Sequence, residues 1–286
     1  MIVPDSLAHI QSYPGGSDWL SGLPELFERC VESWDLSHLG QPFGGSNVSL
    51  AVPAEQHGQP VVLKIQFPSP ECLHETTALS VWNGNGAIRL LDHNPQRSAL
   101  LLERCQPGLY LADSKTADPL TVITDLLPRL WKPASEPFPS LMEIAHQWAS
   151  QMPIDWQKAG KPCEFFLVEA ALDHLKHLGS SQSEQVLLHQ DLHGHNIISA
   201  QREPWLVIDP KPLAGEKAFS LAPIVRSFEF GHSRQAALNR LDRLSTDLGL
   251  DRERARGWTI AQTMAWSFDS DFGDQHYDTV RWLLGK

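Results

Sequence analysis

The sequence predicts an α+β protein in two parts, a strand-rich first part with one helix and a mainly helical second part. Two patterns predict it. Between about residues 41 and 105, short apolar runs alternate with turn clusters: Val48, Leu50 and Val52 recur with period two, and Val61–Ile65 and Ala99–Leu102 are further runs. Beyond Pro107 the apolar period lengthens to that of a helix. Phe165, Val168, Leu172 and Leu175 fall on one face, as do Ala237, Leu241, Leu244 and Leu248, with Gly179 and Gly249 as C-terminal stop signals. The expected division places residues 1–105 in the first part and 106–286 in the second.

The elements follow in order. An amphipathic stretch runs from Trp19 to Trp34. Gly44-Gly45-Ser46-Asn47 is a turn cluster ahead of the Val48 strand. Val61-Val62-Leu63-Lys64-Ile65 is a strand with one charge, which is costly to bury unless paired. Glu75 opens a helix-like stretch, His74–Trp82, and is the natural partner. Ala99–Glu103 is a strand running through Arg104 and Cys105 into Pro107-Gly108, and Trp131–Ser140, rich in Pro and Ser, reads as a loop.

The chemistry is concentrated later. His189-Gln190-Asp191-Leu192-His193-Gly194-His195-Asn196 has the spacing H-x-D-x-x-x-x-N of a phosphoryl-transfer loop. Short apolar runs flank it at Val186–Leu188 and Ile197–Ile198, and Trp205–Ile208 ends in Asp209. Phosphoryl transfer needs a carboxylate to orient a hydroxyl and accept its proton, and oxygen ligands for magnesium. Asp191 suits the first role; Asn196 and Asp209 suit the second. Such a site also calls, further upstream, for a glycine turn over the phosphates (Gly44, Gly45, Ser46), a strand lysine (Lys64) and a helix glutamate (Glu75), and all appear in the required order. His189, His193 and His195 have no zinc spacing; His189 reads as a backbone brace and the other two as lining the site.

These stretches, with Gly84–Leu91, Leu100–Gly108 and Ala218–Pro223, resemble the antibiotic phosphotransferases of the kinase-like superfamily, and most closely the streptomycin 6-kinase and hydroxyurea phosphotransferase family. The resemblance runs from about residue 40 to about residue 225. It implies a protein-kinase-like two-lobed fold, ATP and Mg2+ as cofactors, adenine contacts near Glu103 and Cys105, and a small hydroxyl-bearing acceptor. Three positions depart from the family. Gln190 stands where relatives have Gly, which predicts an ordinary backbone angle or a shifted loop. His195 replaces a frequent Gly or Glu. Ser220 stands where many relatives place an Asp that braces the loop from below.

Composition narrows the partners. The net charge of −11 and the lack of a basic stripe argue against nucleic acid. No apolar run approaches the roughly 20 residues that span a bilayer. The start lacks a basic and apolar leader, and four scattered cysteines fit a reducing compartment, so a cytoplasmic protein, monomer or homodimer, is expected. The tract Trp266–Asp274 combines acids and aromatic rings without a base, so Trp266, Asp269 and Asp271 are candidates for binding a cationic acceptor. The expected function is ATP-dependent phosphorylation of a small-molecule hydroxyl, an aminoglycoside such as streptomycin being favoured. A sugar or amino-alcohol kinase on the same fold, and a nucleotide-binding protein without turnover, are the alternatives.

Overall fold

The computed structural model describes residues 3–44, 48–69, 72–182 and 184–286, and the chain divides into two compact units, Met1–Gly108 and Leu109–Lys286. The first unit opens with a 3-10 turn at Asp5–Ser12 and α1 (Gly16–Ser33). Its sheet follows: β1 (Leu36–Ser37), β2 (Ser49–Gln56), β3 (Gln59–Gln66), then α2 (Glu75–Trp82), β4 (Leu90–Asn94) and β5 (Ala99–Glu103). The strands are antiparallel in the order β1-β2-β3-β5-β4. His57 and Gly58 join β2 to β3 with φ of 49° and 76°, the pair of positive angles that a two-residue hairpin turn requires.

Alternation along β3 sorts its side chains. Val61, Leu63 and Ile65 join Leu23, Phe27 and Cys30 of α1 in one core cluster. Lys64 and Gln66, on the opposite face, meet Glu75 of α2. After α2 the chain turns through Asn83, Gly84 and Gly86, all at positive φ, and then buries Ala87 and Ile88.

The second unit contains α3 (Pro119–Leu130), α4 (Leu141–Lys158), α5 (Phe165–Gly179), β6 (Val186–Leu188), β7 (Ile197–Ser199), β8 (Trp205–Val207), β9 (Leu213–Gly215), α6 (Ala222–Val225), α7 (Arg234–Asp247), α8 (Arg252–Ala265) and α9 (Gly273–Leu283). Helix starts follow capping chemistry. Asp118 caps α3 ahead of Pro119, Ser140 and Glu143 form a capping box on α4, and Ser233 and Asp251 cap α7 and α8. Gly249, at φ 62°, follows α7 as its sequence suggests, but Gly179 does not cap α5. Gly179 is the last helical residue, and a Cβ there would lie 3.3 Å from the Ala145 Cβ, so close α4–α5 packing explains it. Likewise α8 reaches α5 through Gly257, where a Cβ would come within 2.8 Å of His174 Nδ1 and Leu178 Cδ1. Trp258, fully buried, donates through Nε1 to Glu216, which also takes the Arg254 guanidinium at 2.7 Å. Among the described residues no helix is long and apolar enough to cross a membrane.

Two glycines of α1 give opposite expectations. A Cβ on Gly16 would sit 1.7 Å from the Ile10 carbonyl oxygen, whereas one on exposed Gly22 meets nothing within 4 Å. Gly16→Ala is expected to destabilise by about 2 kcal/mol or more, because backbone must move. Gly22→Ala is expected to stabilise by about 0.5–1 kcal/mol through helix propensity. Thermal unfolding of the two variants beside the wild type checks both.

Candidate active-site residues

In the first unit the buried lysine has its partner. Lys64 Nζ donates to both carboxylate oxygens of Glu75 at 2.8 Å, and the two residues are 5% and 2% exposed. Glu75 is the first residue of α2, where the helix dipole favours a carboxylate. Gln66 Nε2 also donates to Glu75, at 2.5 Å. Gln66 lies two residues after Lys64 on the same strand face, a spacing that makes it readable in retrospect. A buried pair of this kind is rigid because losing either partner costs about 3–5 kcal/mol. Gly44 is exposed and Gly45 and Ser46 lie outside the described residues. Glu103 donates its amide to the Arg89 carbonyl at 2.9 Å and accepts the Arg89 amide on its carboxylate at 3.0 Å, so that N–H is committed within the unit. Cys105 follows it, partly exposed.

In the second unit the loop from His189 to Asn196 hangs between β6 and β7. His189 is buried, and burial pushes its imidazole down to about 4, against the pull of Asp191. The neutral ring donates Nε2–H to the Ile208 carbonyl at 2.9 Å, the bracing role the sequence suggests. The His189 carbonyl in turn accepts two amides, from Asp191 at 2.8 Å and from Lys211 at 3.0 Å. Asn196 Nδ2 donates to the Asp191 carbonyl at 2.7 Å, which fixes the amide's orientation. Ile208 N–H donates to the Asn196 carbonyl at 3.0 Å beside the β7–β8 ladder, so Asn196 and Asp209 lie at one end of this hairpin.

Gln190 corrects an expectation. Its φ is 64°, in the left-handed region that favours glycine, so the angle is not the ordinary one expected of a glutamine. That conformation costs about 1–2 kcal/mol for a side-chain-bearing residue. Gln262 of α8 holds it, donating Nε2–H to the Gln190 carbonyl at 2.9 Å. Asp209, at φ 54°, is a second left-handed residue, of a type that tolerates it. Ser220 is buried and accepts a hydrogen bond from Trp131 Nε1 at 3.0 Å.

A second brace comes from Glu229, which sequence reading passed over. It lies 36 residues beyond His193 in a segment without a motif, so nothing local announces it. Its Oε1 accepts from His193 Nδ1 at 2.7 Å and His195 Nδ1 at 2.5 Å; its Oε2 accepts from the Gly194 amide at 2.5 Å and the Ser227 hydroxyl at 3.1 Å. The ligand atoms of His193, His195 and Glu229 lie within 4.8 Å of one another, but four hydrogen bonds already saturate the carboxylate. Gly194 has to be glycine here: a Cβ would lie 2.6 to 2.9 Å from Phe230, Glu229 and Ala112. Burial would raise the Glu229 carboxyl, yet hydrogen bonds from His193, His195 and Gly194 hold it at about 2.

Asp191 sits in a cationic setting. Lys211 Nζ is 3.4 Å from its Oδ2, an Arg226 guanidinium nitrogen 3.7 Å from Oδ1, and His193 Nε2 4.0 Å from Oδ1. Burial would raise the carboxyl; Lys211, His193 and Arg226 outweigh it and hold it below its ordinary value. Trp266, at the end of α8, faces the same cations, with Lys211 Nζ 5.2 Å and Arg226 Cζ 4.8 Å from its ring centroid. The ring expected to meet an acceptor's cation is thus already engaged by the protein's own. Asp269 and Asp271 are exposed in the turn between α8 and α9, whereas Phe272 packs on Phe228, centroids 4.6 Å apart.

The family model described as aminoglycoside/hydroxyurea antibiotic resistance kinase matches residues 33–270. The chain is 36% identical to streptomycin 6-kinase of Streptomyces griseus, over 92% of this chain and 88% of that one. It is 33% identical to hydroxyurea phosphotransferase of Kitasatospora aureofaciens, over 92% and 78%. Among solved structures, choline kinase LicA from Streptococcus pneumoniae superposes with a TM-score of 0.67 at 15% identity, covering 92% of this chain and 99% of that one. Aminoglycoside phosphotransferase APH(4)-Ia, in a ternary complex with ADP and hygromycin B, gives 0.61 at 16%, covering 90% and 95%. The fold is protein-kinase-like, and the protein is a small-molecule kinase that uses ATP. More narrowly, the chain belongs to the aminoglycoside/hydroxyurea antibiotic resistance kinase family.

The Glu229 brace makes a pH prediction. Its stabilisation is present above the ordinary value of 4.5 and is lost as pH falls through about 2. Burial alone would lower His193, but its bond to Glu229 raises it above 6.5, so its share is full below 6.5 and is lost as pH rises through the folded value. Glu229→Gln is therefore expected to lose stability most between about pH 4.5 and 6.5 and to flatten both flanks. Urea unfolding of both proteins from pH 3 to pH 8 measures this.

Proposed function

We propose that this protein phosphorylates a hydroxyl of streptomycin or a similar aminocyclitol antibiotic in the cytoplasm, conferring resistance. The supporting observation is Asp191: a partly buried carboxylate whose charged form is favoured by nearby cations, on a loop with the phosphoryl-transfer spacing, in a chain 36% identical to a streptomycin 6-kinase. In this reading Asp191 orients the acceptor hydroxyl and receives its proton. Lys64 grips the nucleotide phosphates and Glu75 positions Lys64. Gly44, Gly45 and Ser46 are assigned to the nucleotide phosphates, and Glu103 and Cys105 to the adenine, where the committed Glu103 amide leaves the contact to other groups of that stretch.

The residues fit magnesium. Asn196 spends its amide nitrogen on the Asp191 carbonyl, which turns its side-chain oxygen the other way, and Asp209 adds a carboxylate at the same hairpin end. Both are the hard oxygen donors that Mg2+ prefers. When bound, the ion neutralises charge on the transferred phosphate. Acceptor cations are met by exposed Asp269 and Asp271, with Trp266 as an apolar wall.

The deciding experiment is an ATP-consumption screen across aminoglycosides, hydroxyurea and common sugars, with the product identified by mass. Streptomycin turnover is expected, and turnover of a sugar or hydroxyurea alone would replace this acceptor. Asp191→Asn is expected to keep ATP binding and lose roughly 10²- to 10⁴-fold in kcat. Near wild-type turnover would remove Asp191 from the chemistry.

Exposure limits what the acids contribute. Exposed ion pairs are worth about 0.2–1 kcal/mol, so Asp269→Asn or Asp271→Asn is expected to raise the acceptor KM by at most about fivefold. The ATP KM should not change. Steady-state kinetics in low and high salt check this, the effect shrinking as salt rises.

A further inference from the structure

Arg240 is a charge on the apolar face of α7. It lies one turn from Ala237 and Leu244, both buried, and is itself 3% exposed. Burial pushes its guanidinium down to about 10, so it is still cationic at neutral pH. Among the described residues, every hydrogen bond it donates goes to a backbone carbonyl between the end of α6 and Gly231. Nε and one terminal nitrogen donate to Val225, at 3.2 and 3.0 Å. The other terminal nitrogen donates to Phe230 at 3.2 Å and to Gly231 at 2.9 Å. A long apolar side chain would fill this face without taking a cation out of water. What arginine adds is a flat fork of five donors, able to hold several acceptors at once.

The fork bridges the two ends of a short irregular segment. Val225 ends α6, and from Arg226 to Gly231 the chain has no helix or strand of its own. Its internal bonds are those of turns, the Ser227 amide to the Ile224 carbonyl and the Gly231 amide to that of Phe228. Between the bridged ends lie Arg226 and Glu229. An Arg226 guanidinium nitrogen stands 3.7 Å from Asp191 Oδ1, and Glu229 accepts from His193, His195 and the Gly194 amide. Phe230, whose carbonyl Arg240 holds, places its ring where a Cβ on Gly194 would come within 2.6 Å of it. Three contacts with the loop around Asp191 therefore hang from this one segment. Segments without regular structure are the first to open in local fluctuations, so the brace is as firm as the bonds that close its ends.

We propose that Arg240 is a positioning residue for phosphoryl transfer. By tying Val225 to Phe230 and Gly231 it sets where Arg226 and Glu229 stand, and through them the geometry of the loop that carries Asp191. It donates nothing to that loop itself and takes no part in the chemistry. The inference rests on the reading of Asp191 given above.

The test uses the full chain. Arg240→Lys keeps a cation but replaces the fork with a single point, which cannot hold both ends of the segment. Hydrogen exchange of the protein without ligands is followed on the peptide containing Gly194, with peptides of α5 as internal reference. Arg240→Lys is expected to speed exchange of the Gly194 peptide by about tenfold or more, the range of one charge-assisted hydrogen bond, and to leave α5 nearly unchanged. On an acceptor found by the screen, kcat should fall by about tenfold or more, since a small misplacement of the loop slows the step. The ATP KM should stay within about threefold of wild type, because uniform nucleotide binding is not what is lost. Combined with Glu229→Gln, the loss in kcat should be smaller than the product of the two single losses, because both changes act on one brace. Exchange that rises no more at Gly194 than in α5, or losses in kcat that simply multiply, overturns the proposal. If Arg240→Lys does not fold, Arg240→Gln is measured in the same way. Failure of both to fold makes Arg240 a structural residue and overturns the proposal equally. If wild type phosphorylates no acceptor, the reading of Asp191 falls, while exchange at Gly194 still reports on Arg240.

Discussion

A carboxylate partly withdrawn from water is favoured in its charged form by nearby cations, and three of them surround Asp191. Burial pushes its proton affinity up; Lys211, His193 and Arg226 push it down and win. Those three residues come from different places: the loop itself, the segment after β8 and the end of α6. Each needs its own support. His193 is anchored by Glu229, Lys211 by the backbone bond to His189, and Arg226 by its place at the C-cap of α6. Moving any one of these elements would weaken the preference of Asp191 for its charged form.

The loop's backbone departs from local preference. Glycine is the easy choice for a left-handed angle, yet Gln190 adopts φ 64°. Local preference, worth 1–2 kcal/mol, is outweighed because both sides of the residue are fixed. His189 is pinned to Ile208, Asp191 to the His189 carbonyl, and the Gln190 carbonyl to Gln262. Here the loop is supported by Gln262 and Glu229, while Ser220 accepts from Trp131. The loop is held from α8 and from the segment before α7 instead of from below.

The sequence made legible what is local. Strand alternation around Val61–Ile65, the charge of Lys64 inside an apolar run, the helix start at Glu75 and the spacing from His189 to Asn196 all depend on neighbours within a few residues. What it hid is long-range. Glu229 and Gln262 act on the loop from 35 and 72 residues away, and no periodicity links them to it. Gly179 misled because a helix-ending glycine and a close-packing glycine look alike in one dimension; only the Ala145 contact separates them. Trp266 reads in the sequence as a ring for an acceptor's cation, but its ring meets Lys211 and Arg226, which the tract around it does not contain.

That last point bears on how such a kinase selects its acceptor. The wall beside Asp191 is cationic, so the edge of the acceptor nearest the reacting hydroxyl pays a penalty for any positive group it presents there. The acids able to receive guanidinium or ammonium groups, Asp269 and Asp271, are exposed, where each pair contributes little. Selectivity in the proposed reading therefore depends more on rejection than on attraction: a cationic antibiotic is accepted only in the orientation that keeps its charges away from Lys211 and Arg226. In that reading the two cations beside Asp191, and not the exposed acids, carry most of the discrimination among acceptor orientations.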